Sequence, residues 1–175
     1  MNKAVIGIVN NRERAESVLT TLRAAGISDG AVSFLLPDKS GTKDFAHEHN
    51  TKAPEGAVAG GGAGAIIGGT LGLLAGIGAL AIPGVGPLIA AGPLMAALSG
   101  SAAGAAVGGL TGALVGLGIP EIEAKRYEGK IAGGNILVAV HTENGDQQKV
   151  AKDALEKAGA EDISATSEAS VPKKK

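Results

Sequence analysis

Between Glu55 and Glu121 the chain runs for 65 residues without one charged side chain, and 20 of those residues are glycine. The glycines fall at every fourth position in two rows: Gly56, Gly60, Gly64, Gly68, Gly72 and Gly76, then Gly100, Gly104, Gly108, Gly112 and Gly116. Residues four apart lie along one row of an α-helix, so each run makes a groove without side chains where another backbone can approach closely. A row at this spacing turns about 40° per step, roughly 200° over six glycines, so one straight partner cannot cover it. The pattern points to helix-to-helix assembly with more than one neighbour.

Pro83, Pro87 and Pro93, with Gly84, Gly86 and Gly92 among them, interrupt any straight helix and predict the tip of a helical hairpin. The two arms, residues 57–80 and 94–117, would each be about 36 Å long, enough for a bilayer core of roughly 30 Å. Each glycine costs a helix about 1 kcal/mol relative to alanine, so such arms need an environment that enforces helicity. Lipid is one such environment, and tight burial between protein neighbours is the other. The apolar side chains, among them Ile66, Leu73, Ile77, Leu94, Leu110 and Leu114, would face lipid in the first case and neighbouring copies in the second.

The charged ends read differently. Residues 3–9 form a β-branched run that predicts a strand and does not resemble a signal peptide. A helix follows, with Asn10 as its cap, Glu13 in capping-box spacing, an apolar stripe of Ala15, Val18, Leu19, Leu22 and Ala25, and Gly26 as its stop. Residues 31–36 predict a second strand. The C-terminal part repeats the plan, with strand 135–142, helix 146–157 and strand 163–168. Aligning Gly26 with Gly159 places Val18 over Ala151 and Leu22 over Leu155. Two βαβ halves predict an α+β, ferredoxin-like sheet of four strands backed by two helices and carrying the glycine-zipper hairpin as an insertion. A third helix, 121–130, starts after Pro120 with Ile119, Ile122, Tyr127 and Ile131 facing one way, and stops at Gly133 and Gly134. The expected segments are therefore 1–41, 42–55 (polar linker), 56–119 (hairpin), 120–134 (connecting helix), 135–170 and 171–175 (basic tail).

Sixteen Lys and Arg against 17 Asp and Glu leave a net charge of −1 and no basic field for nucleic acid. Phe34, Phe45 and Tyr127 are the only aromatic residues, too few for a stacking platform. There is no cysteine, hence no disulfide and no thiolate metal site. His47 and His49, near Asp44 and Glu48, are the only clustered ligand types, and without a third strong ligand they read as an exposed polar turn. Gly76-Ile77-Gly78 with Ala81 has no preceding strand and no acidic residue downstream, so it is no dinucleotide fingerprint. No motif places a nucleophile beside a base. The chain is expected to be no enzyme, with no cofactor, no metal and no small-molecule substrate. Lys52 and Glu55 before the hairpin, and Glu121, Lys125 and Arg126 after it, form a charged collar, with the two glutamates at helix starts where the dipole favours them.

The residues Asp44-Phe45-Ala46-His47-Glu48, the run from Thr51 to Gly56, Leu73 to Leu80, and Gly118-Ile119-Pro120-Glu121 with Glu123-Ala124 and Tyr127-Glu128 resemble a family of bacterial general-stress proteins, the heat- and salt-induced kind with a glycine-rich middle. The resemblance spans nearly the whole chain. It implies a bacterial origin and a stress-linked role, and it brings no catalytic residue with it.

Together these features describe a non-enzymatic, self-associating protein whose hairpin inserts into or coats the cytoplasmic membrane, with both termini in the cytoplasm. The alternatives are a soluble homo-oligomer, as a ring, filament or shell with hairpins buried between subunits, and a coat for apolar inclusions.

Overall fold

The computed structural model describes residues 3–38, 78–82, 85–100 and 102–167. In chain order the elements are β1 (Lys3–Val9), α1 (Arg12–Ala24), a 3-10 turn (Asp29–Ala31), β2 (Val32–Pro37), β3 (Gly78–Ile82), β4 (Gly86–Ala91), α2 (Pro93–Gly100), α3 (Ala102–Gly116), α4 (Glu121–Ala132), β5 (Ile136–Thr142), α5 (Gly145–Lys157) and β6 (Glu161–Ser167). The class is α+β, built on one six-stranded sheet in the order β3-β4-β2-β5-β1-β6. Every neighbouring pair is antiparallel.

The strands from the two charged ends interleave. β1 lies between β5 and β6 with Val5 opposite Val140 and Ala165, while β5 separates β1 from β2 with Val138 opposite Phe34. This register sorts the side chains by the twofold alternation of a strand. Val5, Val9, Val32, Phe34, Val138 and Val140 point to one face, where Val18, Leu19 and Leu22 of α1 and Ala151, Ala154 and Leu155 of α5 cover them. Ala4, Ile6, Ile8, Leu35, Leu137 and Ala139 point to the other face, where α2, α3 and α4 supply Leu94, Leu98, Leu110, Leu114, Tyr127 and Ile131. The molecule is therefore three layers, helices on both sides of the sheet. Strands with continuous apolar sequence require this arrangement, because both of their faces must leave water.

α1 and α5 are amphipathic helices with matching starts: the Asn11 side chain accepts the Arg14 N–H at 2.9 Å, and the Asn144 side chain accepts the Gln147 N–H at 2.9 Å. The cap of α1 is thus Asn11 and not Asn10, which shifts the frame by one residue and leaves Glu13 as an acidic residue in the first turn. Ile122, expected on the buried stripe of α4, is 77% exposed, while Ile119, Tyr127 and Ile131 are buried. Ile122 is three positions after Ile119 but five before Tyr127, so it falls off the face the other residues share.

The helical hairpin requires the larger correction. The expected first arm reaches Leu80 and the expected tip holds Pro83, Pro87 and Pro93; instead Gly78–Ile82 and Gly86–Ala91 pair as β3 and β4, and β4 adds to the edge of β2. Pro87 lies within β4, opposite Ala81, and Pro93 is the first residue of α2, a position that suits a residue without an N–H. The second arm is not one straight helix either. It divides into α2 and α3, and α3 itself breaks at Gly109, with φ 60° and ψ −152°. The physical reason is the uncovered face of the sheet: α2 and the piece of α3 after Gly109, laid across it, bury Leu94, Leu98, Leu110 and Leu114, which a single rod of about 36 Å leaving the sheet would expose. Among the described residues no helix is long and apolar enough to cross a membrane. The linker 42–55, the glycine row Gly56 to Gly76, the collar residues Lys52 and Glu55, His47, His49, Pro83 and the tail 171–175 lie outside the described residues.

Candidate interaction surface

Part of the second glycine row, Gly108 and Gly112, and part of the charged collar, Glu121 and Lys125, meet in one place. α3 and α4 form a helical pair joined by the Gly118-Ile119-Pro120 connection, and an open groove of about 720 Å³ runs between them. Gly108, Thr111, Gly112 and Val115 line it from α3, and Glu121, Lys125, Glu128 and Gly129 from α4. At Gly108, Gly116 and Gly129 an added Cβ would meet nothing within 4 Å. Among the described residues these glycines pack against no neighbour and present bare backbone. Val115, 41% exposed, and Ile122, 77% exposed, are the large apolar side chains left uncovered among the described residues.

Glu121 and Lys125 are paired at 2.7 Å, one helical turn apart, on the groove's rim. Each holds the other in its charged form: the hydrogen bond from Lys125 lowers the pKa of Glu121, and the same bond raises that of Lys125. Both glutamates of the first turn, Glu121 and Glu123, sit at the positive end of α4. Arg126 does not join this rim. It reaches the sheet, with its guanidinium 3.0 Å from the Asp162 carboxylate, and fastens α4 there.

That fastening side of α4 is dense. Lys130 lies 2.7 Å from Asp162 Oδ2 and 2.5 Å from Glu161. The Tyr127 hydroxyl donates to the Asp162 carbonyl at 2.9 Å and sits 3.0 Å from Ser164 Oγ, which donates to Glu123 at 2.8 Å. The Lys130 hydrogen bond holds the Asp162 carboxyl below its ordinary pKa, and burial pushes the Tyr127 phenol up. Asp162 has φ +49° at an irregularity of β6, where the pairing with β1 shifts by one residue between Ile6 and Ile8. An extra residue in one strand of a pair turns the chain locally, which aims the Asp162 carboxylate at α4. α4 is thereby held firmly on its sheet side and left open on its groove side.

Two features escaped the sequence reading. The first is the contact between Glu128 and Thr111: the Glu128 carboxylate accepts the Thr111 N–H at 2.8 Å and the Thr111 hydroxyl as well. No local pattern in the sequence signals it. The second is Ser33, fully buried, whose Oγ accepts the Leu94 N–H at 3.0 Å and lies 3.0 Å from His141 Nε2. A lone serine within an apolar strand was the available signal. With its hydroxyl enclosed, Ser33 pins the start of α2 to β2 and β5.

Of the remaining expected site residues, Gly100 ends α2, Gly104 lies in the first piece of α3, and Gly116 is its last residue. Among the described residues no three His, Cys, Asp or Glu side chains are grouped to hold a metal ion. Comparison with protein-family models, with curated proteins and with solved structures gave no match to this chain.

Proposed function

We propose that this chain is a non-enzymatic, self-associating protein in which a ferredoxin-like core displays the α3–α4 groove to a second copy of itself. The observation that carries the reading is the open backbone at Gly108, Gly116 and Gly129 beside exposed Val115 and Ile122. Bare backbone next to an apolar knob suits an isologous contact, where the knob of each copy enters the groove of the other. The Glu121 and Lys125 pair on the rim is suited to exchange across such a twofold, with each lysine meeting the partner's glutamate. The name of the core rests on the order β2-β5-β1-β6, with α1 and α5 as its crossovers. The stress-linked role is the proposal that the resemblance to bacterial general-stress proteins supports.

The test is the mass of the full chain in solution by light scattering over a range of concentrations. Gly108→Leu and Gly129→Leu fill the groove from opposite sides and are expected to leave a folded monomer. If both variants keep the mass of the wild type, the reading fails.

A second reading keeps the membrane as the partner of the same protein, and its support is the uncharged run from Ala57 to Ile77 with six glycines in register from Gly56 to Gly76. It places the protein at the cytoplasmic membrane with both termini in the cytoplasm. Alkaline carbonate washing and flotation of membranes from cells making the native protein decide it: protein that resists the wash and floats supports the reading, and protein left behind in solution removes it.

A further inference from the structure

We propose that the break in α3 is a latch, closed by Glu128, that governs assembly through the α3–α4 groove; the proposal rests on the self-association reading above. Gly109 sits at φ 60° and ψ −152°, a conformation open essentially to glycine alone, while the residues on both sides are helical. The break divides α3 into residues 102–108 and 110–116. The second piece is anchored, with Leu110, Ala113 and Leu114 fully buried against the sheet. A helix that restarts at 110 exposes new N–H groups, and one of them, on Thr111, is accepted by the Glu128 carboxylate of α4. The same carboxylate accepts the Thr111 hydroxyl, so one side chain stitches the broken helix to its neighbour.

Both ends of the stitch line the groove. A second copy that enters the groove must therefore meet Glu128 and Thr111. If the stitch opens, the helical bonds that the break interrupts can re-form across Gly109, and residues 102–108 swing into line with the anchored piece. Only in that straight form do Gly104, Gly108, Gly112 and Gly116 fall along one row. The broken form is the resting state, and the straight form is the one that offers a continuous glycine row to a partner. The two are close competitors because the broken form keeps the carboxylate contacts and the straight form regains backbone ones.

Three variants of the full chain test the coupling. Gly109→Ala disfavours the broken torsion and favours helix. Glu128→Ala removes the acceptor, and Thr111→Val removes the hydroxyl with little change of shape. By sedimentation velocity, Gly109→Ala and Glu128→Ala are each expected to lower the concentration of half-assembly by about tenfold, with Thr111→Val moving it less in the same direction. Backbone chemical shifts across residues 107–113 are expected to become continuously helical. Variants that fold, by circular dichroism, yet assemble at the wild-type concentration overturn the latch and leave self-association standing. A wild type and variants that are all monomeric at every concentration overturn both. Should Gly109→Ala fail to fold, Glu128→Ala and Thr111→Val decide the matter alone.

Discussion

The two faces of the sheet are covered differently: α1 and α5 lie on one, and α2 and α3, beside the charged α4, on the other. On one, α1 and α5 are charged on their outer side, carry asparagine caps at the same geometry and run unbroken for 13 residues each. On the other, α2 and α3 carry no charge at all, and α3 breaks at Gly109. Yet both layers bury leucines completely, Leu19 and Leu22 on one side, Leu110 and Leu114 on the other. In α1 and α5 the caps and the amphipathic stripe agree with the docking that completes them, whereas α2 and α3 have no charged face and depend on docking alone. A layer of the second kind can hold open backbone toward solvent, as at Gly108 and Gly116, and can change shape at a single glycine.

The strongest way to break this comparison is to cut the core on each side. Leu19→Ala and Leu114→Ala are each expected to cost about 2–5 kcal/mol in urea unfolding, since each removes a fully buried side chain. A large loss at Leu19 with none at Leu114 would mean that the glycine-rich layer is not part of the core. Gly92→Ala comes next. A Cβ there would lie 2.2 Å from the Val32 carbonyl oxygen at φ +79°, so a loss of about 3 kcal/mol is expected, measured as a fall in the unfolding midpoint. It probes the close crossing of the chain over β2 that starts α2.

The first layer was legible because its signals are local. The apolar stripe of α1 from Ala15 to Leu22 and the stop at Gly26 stand within one helix length, and the same holds for α5. Even the cap was displaced only from one asparagine to its neighbour. The strands β3 and β4 were not legible, because a segment such as Gly78-Ala79-Leu80-Ala81-Ile82 has no polar residue to mark an alternation, and the preceding glycine period extended a helical reading over it. Gly86 and Pro87 lie in a strand of an antiparallel pair and Pro93 starts α2, so these residues mark breaks between short elements and not the tip of two helices. In the groove, Gly108, Gly112, Glu121 and Lys125 were legible as types, and their meeting was not. The stitch from Glu128 to Thr111 spans 17 residues and two helices, and no local pattern encodes such a contact.

Smaller effects sharpen the comparison from the charged side. Asn11→Ala and Asn144→Ala are each expected to cost about 1 kcal/mol, and to add in the double variant because they cap separate helices. Thermal melts of the two single variants and the double variant check this. Marked non-additivity would mean that the two halves communicate through their helix starts.

The smallest effect is one of pH. The folded pKa of Asp162 is lowered, chiefly by the hydrogen bond from Lys130, so its contribution is present above the unfolded carboxylate value of about 3.9 and is lost as pH falls through the folded value. Asp162→Asn keeps a residue that tolerates φ +49° but removes the charge. Its stability is expected to fall less than that of the wild type on acidification below about pH 4, in a series of denaturant midpoints. Parallel curves for the two proteins would remove the ion pair from the account of how α4 is fastened.

The claim at the centre is that the groove side of α4 faces a second copy. The chain has no cysteine, so Ile122→Cys accepts a single spin label at a defined point beside the groove. Pulsed dipolar spectroscopy of the fully labelled protein is predicted to show one sharp intermolecular distance, which vanishes on dilution with unlabelled chain. A featureless decay from a sample whose mass is that of an assembly would place the contact elsewhere and contradict the account.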